Sequence, residues 1–584
     1  MRVYSYNRRH IRFLLAATIF MALIIGVRLG YIMIYKGSYY SEKALTLHER
    51  ERKIKAPRGK ILDRNGNIIA DNKKVCSVSV VHSQITDESE VIRVLTKYID
   101  KSPSEIEKKV KKVSSREIIA TNVDKETGKK LAALKLPGVK IDEDYRRNYP
   151  YDYIASKVIG FTGSDNQGIL GLEVSYDKIL TGKDGSVNEI TDAKGVRLDG
   201  YAQSRNEPVP GNDLVTTIDL NIQKYVTQAA YKVLTEKDAN RVCVISINPQ
   251  NGEIYAMADV PEYNLNKPFA SDKGGGALAI EEENSDLVLK DMDKLNNIWR
   301  NYLISDTYEP GSTAKIMTLT AALETGAVTE NDHFYCPGYK LVEDRRIRCS
   351  NTRGHGSQSL KEALMNSCNP AFMEIGSRVG VSGLYKYYRK LGLFSQTGID
   401  LPGEANSIMH KEANVGPVEL ATMSFGQSFQ VTPIQFITAV CTVVNGGHSI
   451  TPHFGKNIID GTTGSITEIE FEGGSQAIDS STSEKMREML EAVVSEGSGK
   501  NGYIEGFRIG GKTATSEKLP RGTGKYISSF IGFAPANCPT VLTFVMIDEP
   551  VGTYYGGLVA APVCSDIFSN ILPYLGIDKA TNEY

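Results

Sequence analysis

The chain has 584 residues, 41% of them hydrophobic and 23% charged, with 53 Gly and 22 Pro, a composition that folds rather than one that stays disordered. Its length supports at least two domains, one of them large enough to bury a substantial core. A formal net charge of −1 excludes a globally basic, nucleic-acid-binding chain, so no nucleic-acid partner is expected, although a sum of this kind hides local patches.

Residues 13–35 read FLLAATIFMALIIGVRLGYIMIY, apolar apart from small residues, Thr18 and Arg28. As a helix this run would span roughly 34 Å, enough to cross the hydrocarbon of a bilayer. Arg8, Arg9, His10 and Arg12 precede it, a bias that puts residues 1–12 in the cytoplasm and everything after about Lys36 outside it. No small-x-small cleavage site with a clean ending follows, so the run reads as an uncleaved single-pass anchor rather than a signal peptide. Arg28 either snorkels to the outer interface or faces a partner helix.

Residues 37–57 are charged and end in Ala56-Pro57, the pattern of a stalk. From Arg58 to about Glu207, short alternating runs such as VCSVSVV at 75–81 predict strands, and SPSEIEKKVKKV at 102–113 predicts a capped, charged helix. Stalk and irregular α+β module together occupy 36–207. A second unit, 208–575, opens with a Pro-Gly-Asn turn at 210–212, a strand at 214–218 and a helix from about 220 to 234. Runs at 242–247 and 253–258 flank Asn251-Gly252 as a hairpin. After a long helical middle, runs at 506–509, 526–533 and 540–547 predict neighbouring antiparallel strands. A sheet built from both ends of a domain with helices between is an α+β sandwich. The polar, acidic, glycine-rich segment 267–294 reads as an exposed loop with one short helix, and 576–584 as a tail.

Three short strings can carry chemistry. In YEPGSTAK at 308–315, Pro310 and Gly311 break the chain before an apolar helical pattern, which places Ser312 at a helix start and Lys315 one turn on, on the same face. An unprotonated lysine there can take the hydroxyl proton as the serine attacks a carbonyl, and the helix N-terminus favours the negative charge that develops. Alone, the string is explained more simply by a serine cap and a solvated lysine, because about two or three Ser-x-x-Lys strings arise by chance in such a chain. Ser367 and Asn369, on either side of Cys368, lie between two helical stretches, where Ser367 can relay a proton and Asn369 can hold the lysine or the substrate backbone. In isolation, a loop whose Ser and Asn cap the next helix is the simpler explanation of that pair. In GGKTATS at 510–516, a strand with two glycines lets a substrate backbone approach, and Lys512, Thr513 and Thr515 can hold a carboxylate. The backbone N–H groups of Thr515 and Ser312 can donate to an oxyanion. A phosphate-cradling loop fails on spacing and on the missing apolar helix.

The order and separation of the three strings are those of the penicillin-recognising serine acyl-transferases, and here the sequence resembles the class B penicillin-binding proteins, the monofunctional peptidoglycan transpeptidases. RGKILDRNG at 58–66, RNYP at 147–150, Gly160-Phe161 and GILGLE at 168–173 resemble the motifs of their non-catalytic pedestal. Within the catalytic part, TID at 217–219, FGQ at 425–427, Thr432-Pro433 and YGG at 555–557 also match. The resemblance implies a β-lactamase-like transpeptidase domain with an antiparallel sheet and helices, preceded by an elongated α+β pedestal and one transmembrane helix. It implies that Ser312 attacks the penultimate D-alanine carbonyl of a stem pentapeptide, with Lys315 as base, Ser367 and Asn369 as second catalytic element, and Lys512, Thr513 and Thr515 holding carboxylate. No cofactor is needed for that step, and β-lactam antibiotics acylate the same serine. Implied partners are a polytopic membrane glycosyltransferase and proteins of a division or elongation complex. The third motif usually reads Lys-Thr-Gly, whereas this chain has Ala514, whose methyl group is expected to crowd an incoming ligand. No hydrolytic glutamate stands out among Glu362, Glu404 and Glu412, against a β-lactamase; a scaffold without activity would be expected to lose Ser312, Lys315 or Lys512, and none is lost.

Cys336, Cys349, His355 and Cys368 fall within one short window, and thiolates with an imidazole at loop-like spacings can hold a structural zinc; His333 and Asp306 are spare ligands. Buried free thiols are the plainer alternative, and resemblance to sporulation-type relatives offers a third, a disulfide between Cys349 and Cys368. The clustered cysteines lean toward the sporulation-like branch of Gram-positive, clostridia-like organisms, with the septal branch also fitting.

Overall fold

The computed structural model describes residues 3–40, 43, 49–114, 116–190, 204–269 and 285–579. Most of the expected stalk between 41 and 48, the stretch 270–284 of the glycine-rich segment and the last five residues of the tail lie outside them. Contacts divide the chain into two units that alternate along the sequence. One holds Met1–Pro57, Lys73–Arg146 and Gly182–Pro210, the other Arg58–Asn72, Arg147–Thr181 and Gly211–Tyr584.

In the first unit a helix runs over Val3–Gly30 and continues as a π-helical turn, Tyr31–Tyr35. Its stretch Arg8–Tyr35 is long and apolar enough to cross a membrane. The second half of the expected stalk is instead a strand, Glu49–Ile54, antiparallel to Gly185–Ile190, which also pairs with Ser204–Asn206. Its sequence, ERERKI, carries no apolar alternation, because a backbone ladder needs none. A separate small core packs Val91, Leu95 and Ile106 of two helices, Glu88–Tyr98 and Pro103–Val110, against Val78, Val80 and Ile119. Ser102 caps the second of these helices: its Oγ accepts from Glu105 N and its own N–H donates to the Glu105 carboxylate.

The second unit is built, in chain order, from helix α1 (Leu220–Glu236), strands β1 (Arg241–Ile247) and β2 (Ile254–Val260), helices α2 (Lys315–Glu324), α3 (Leu360–Met365), α4 (Asn369–Lys390, broken at Gly380) and α5 (Ser480–Ser495), strands β3 (Gly510–Glu517), β4 (Tyr526–Ala534) and β5 (Val541–Asp548), and helix α6 (Ala561–Tyr574). The strands form one sheet in the order β2-β1-β5-β4-β3, with every neighbouring pair antiparallel. The two ends of the domain meet where β1 pairs with β5. Side chains alternate across it: Val242 and Val244 join the layer that contains α1 and α6, while Cys243, Ile245 and Ile247 join the layer that contains α2. Residues 315–322 of α2 are all buried, as expected of a helix covered on every side.

The segment 506–509 is not a strand. Gly506 has φ +84° and Phe507 N donates to Ile504 O at 3.1 Å, so a turn occupies these residues and the edge strand begins at Gly510. Downstream of the glycine-rich stretch, a helix spans Ser285–Trp299, longer than expected.

Motif residues far apart in sequence meet in one buried network of the second unit. Glu173 accepts from Arg58 Nε at 2.7 Å, Arg147 Nε at 2.6 Å and the Tyr149 hydroxyl at 3.2 Å. Arg58 also donates to Asp177 at 2.6 Å, and Arg147 to Gly59 O at 2.7 Å. Glu173→Gln would leave two buried guanidiniums without their shared counter-charge. The expected loss is about 3–5 kcal/mol, read as a shift of the denaturant midpoint at unchanged slope; an unmoved midpoint would refute the network's structural weight.

Candidate active site

The chain enters the site through Pro310 and a 3-10 turn, Gly311–Ala314, which leads directly into α2. Gly311 has φ +56°, and a Cβ there would stand 2.4 Å from Ser516 Oγ of β3. Its N–H donates to Gly426 O at 2.9 Å. Gly426 in turn has φ +90°, and its own Cβ would sit 1.9 Å from Gly311 O, so the FGQ string braces the turn that carries Ser312. Glu309 ties this turn to two loops, accepting from Ser428 N at 2.8 Å and from Arg521 at 2.7 Å.

Lys315 is fully buried. Its Nζ reaches Ser367 O at 2.7 Å, Asn369 Oδ1 at 2.8 Å, and the hydroxyls of Ser312 and Ser367 at 3.1 Å each. A neutral amine has two N–H groups and one lone pair. The two closest partners are oxygens that only accept, so they take both N–H groups and leave the lone pair for a hydroxyl proton. The orientation of the Asn369 amide is fixed at its other end, where Nδ2 donates to Arg348 O at 3.2 Å. Burial pulls the Lys315 amine down to about 7, against a smaller upward pull from Cys368 and Cys349. Lys512 is also driven down, first by burial and then by the charge of Lys315.

Ser367 presents both its hydroxyl and its carbonyl to Lys315 because its backbone is left-handed, φ +52°. That conformation costs a non-glycine residue about 1–3 kcal/mol and is held by the bonds of Ser367 N to Leu364 O and Cys368 N to Ala363 O. The same hydroxyl accepts from Lys512 Nζ at 3.1 Å, so one serine oxygen lies between two buried amines. Strand alternation then sorts the third string. Ala514 and Ser516 face the Gly311 turn, whereas Thr515 Oγ1 on the other face accepts from Gly556 N at 3.0 Å and Thr513 lies against Gly557. Ala514 is only 3% exposed, its methyl packed beside the turn that carries Ser312.

Ser312, Ser367, Asn369, Thr513, Ala514 and Thr515 all line one cleft of about 530 Å³. Sequence reasoning did not single out Ser350, Lys500, Tyr526 or Tyr554, which line it too. The Tyr526 and Tyr554 rings stack at 4.0 Å, a pairing between the start of β4 and the segment after β5 that no local pattern announces. No carboxylate is among the described lining residues. Glu362 caps Ser359, Glu404 accepts from Thr397 N at 2.7 Å, and Glu412 pairs with Arg389 at 2.7 Å.

Behind Ser367, the donor atoms of Cys336, Cys349, His355 and Cys368 lie within 4.8 Å of one another. Tetrahedral zinc would need sulfur atoms about 3.8 Å apart, and Cys349 Sγ is 3.6 Å from His355 Nδ1, so the donor set fits such an ion. All eight cysteines are free thiols. A hydrogen bond between Cys349 and Cys368 draws the first thiol down and pushes the second up. The two spare candidates are engaged elsewhere, His333 with Asn331 O and Asp306 with Arg300.

Residues 242–569 match the penicillin binding protein transpeptidase domain, and residues 53–216 the penicillin-binding protein dimerisation domain. The chain belongs to the penicillin-binding protein family of transpeptidases. It is 38% identical to stage V sporulation protein D of Bacillus subtilis, over 99% of this chain and 87% of that protein. It is 28% identical to the probable peptidoglycan D,D-transpeptidase PenA of Neisseria meningitidis serogroup A, over 90% of this chain and 86% of that one. In fold it resembles a peptidoglycan synthetase from Bifidobacterium adolescentis, with a TM-score of 0.73 at 22% identity over 92% of this chain and 98% of that one.

Because the amine of Lys315 is lowered from its ordinary value, the basic form exists above about 7 and is lost as the pH falls through it. The rate of acylation by a penicillin is expected to be level above that point and to fall about tenfold per pH unit below it. A rapid-mixing pH series measures this, and a profile flat down to the carboxylate range would refute Lys315 as the base.

Proposed function

We propose that this protein is a membrane-anchored peptidoglycan D,D-transpeptidase that cross-links stem peptides through an acyl-enzyme on Ser312. The observation that carries the reading is the buried Lys315 amine, 3.1 Å from Ser312 Oγ with its N–H groups occupied by Ser367 O and Asn369 Oδ1. Ser312 Oγ attacks the carbonyl of the penultimate D-alanine as its proton passes to Lys315 Nζ. The oxyanion is held by the N–H groups of Ser312 and Thr515, and the substrate carboxylate by Thr513 and Thr515, with the buried Lys512 behind them. Ser367, within reach of both amines, relays the proton to the departing D-alanine. An amine from a neighbouring stem peptide then attacks the ester, giving its proton back along the same path and freeing Ser312. Glu362, Glu404 and Glu412 are committed to backbone and arginine contacts, which supports transfer to an amine over hydrolysis of a β-lactam.

The charge bias ahead of the apolar helix supports a cytoplasmic N-terminus and a catalytic domain outside the membrane. Likeness to stage V sporulation protein D supports a place in spore wall synthesis, beside a polytopic glycosyltransferase that supplies glycan strands. The Cys336, Cys349, His355 and Cys368 cluster is read as a structural zinc site that braces the loop bearing Ser367 and Asn369. A disulfide between Cys349 and Cys368 would leave Cys336 and His355 without a purpose at the same point.

Intact mass after incubation with benzylpenicillin is the direct test of the acyl-transfer reading. A single adduct of one drug mass is expected, absent in Ser312→Ala, and its absence from folded wild-type protein would overturn the reading. Native mass spectrometry is expected to find one zinc per chain, lost in Cys336→Ser; a metal-free, fully active protein would overturn the zinc site.

A further inference from the structure

Among the described residues that line the Ser312 cleft, Lys500 is the one cation, and it faces no lining carboxylate. The other two lysines of the site, Lys315 and Lys512, are buried and spend their amines on protein oxygens. Lys500 differs: among the described residues no ion pair or side-chain hydrogen bond holds its ammonium. Its position is nonetheless set. It begins a 3-10 turn, Lys500–Gly502, after α5. Ser498 N donates to Met365 O at 3.1 Å, Gly499 N to Val493 O at 2.9 Å, and Asn501 Nδ2 to Gly557 O at 2.7 Å. A Cβ at Gly502 would meet the Phe530 ring at 2.8 Å, so the turn has little room to shift. A free ammonium carried on a fixed turn at the rim of a cleft without lining acids attracts an anion from whatever enters it.

We infer that Lys500 determines substrate choice by reading a carboxylate on a stem peptide other than the one on its C-terminal D-alanine. This rests on the acyl-transfer reading, in which Thr513 and Thr515, with Lys512 buried behind them, already hold the C-terminal carboxylate. The second carboxylate belongs either to the donor peptide or to the residue carrying the acceptor amine, and one experiment separates the two. In the donor arm, D-alanyl thioester peptides with glutamate or glutamine upstream are compared as the ratio of their kcat/KM values. In the acceptor arm, the acyl-enzyme partitions between meso-diaminopimelate and L-lysine, which lacks the carboxylate beside the distal amine.

In wild type the acidic member is favoured in one arm. Lys500→Ala is expected to reduce that ratio by about threefold, and Lys500→Arg to restore it, the magnitude of a solvent-exposed ion pair. The arm that responds identifies the peptide that carries the carboxylate. Ratios unchanged by Lys500→Ala in both arms would overturn the inference. The wild-type rate with the neutral thioester reports separately on acyl transfer, and no acylation there would overturn both readings together.

Discussion

An ammonium group taken out of water must find several oxygen partners or hold its proton less tightly, and Lys315 does both. Burial is the larger force on it, and the two acceptor-only oxygens from Ser367 and Asn369 orient what remains. The other demands of the site follow from that. Ser367 has to adopt a left-handed backbone to turn its carbonyl inward. The loop that holds it so is tied to the thiol cluster through Cys368. The turn that carries Ser312 has to sit flush against β3, which requires glycine at 311 and at 426.

Electrostatics and packing are thus hard to separate here. Lys315 and Lys512 share the hydroxyl of Ser367, and each amine makes a proton on the other less favourable. That arrangement sets one hydroxyl within hydrogen-bond reach of both amines. Sealing α2 on all sides keeps water from the Lys315 amine. The hydrophobic layer around Ile316, Met317 and Leu319 is therefore part of the chemistry as well as of the fold.

The sheet, the central helices and the three strings were legible because each carries a local signature: a hairpin turn at Asn251-Gly252, a Pro-Gly break before an apolar helix, a glycine pair before a strand. What escaped reading depended on conformation or on distance. Gly506 reverses the chain where Phe507 and Ile509 suggest alternation. Glu49–Ile54 pairs through its backbone while its side chains say stalk. The register that sets the Ala514 methyl beside the Gly311 turn, at the edge of the cleft, is also a property of the folded strand. Tyr526, Tyr554 and Lys500 reach the cleft from turns and strand ends that belong to no motif, so only the folded chain brings them to Ser312.

The alternation of the two units along the chain bears on how the molecule comes to be folded at all. Ile61 pairs in parallel with Leu214, and Leu214 N donates to Lys60 O at 2.8 Å, a contact that spans about 150 residues of intervening chain. Glu173 needs Arg58 and Arg147 at the same moment. During synthesis the stretch 58–72 therefore emerges long before the strand it joins, and its arginine waits with no counter-charge. Because both pieces belong to one chain, the loop-closure entropy is the main barrier to their meeting.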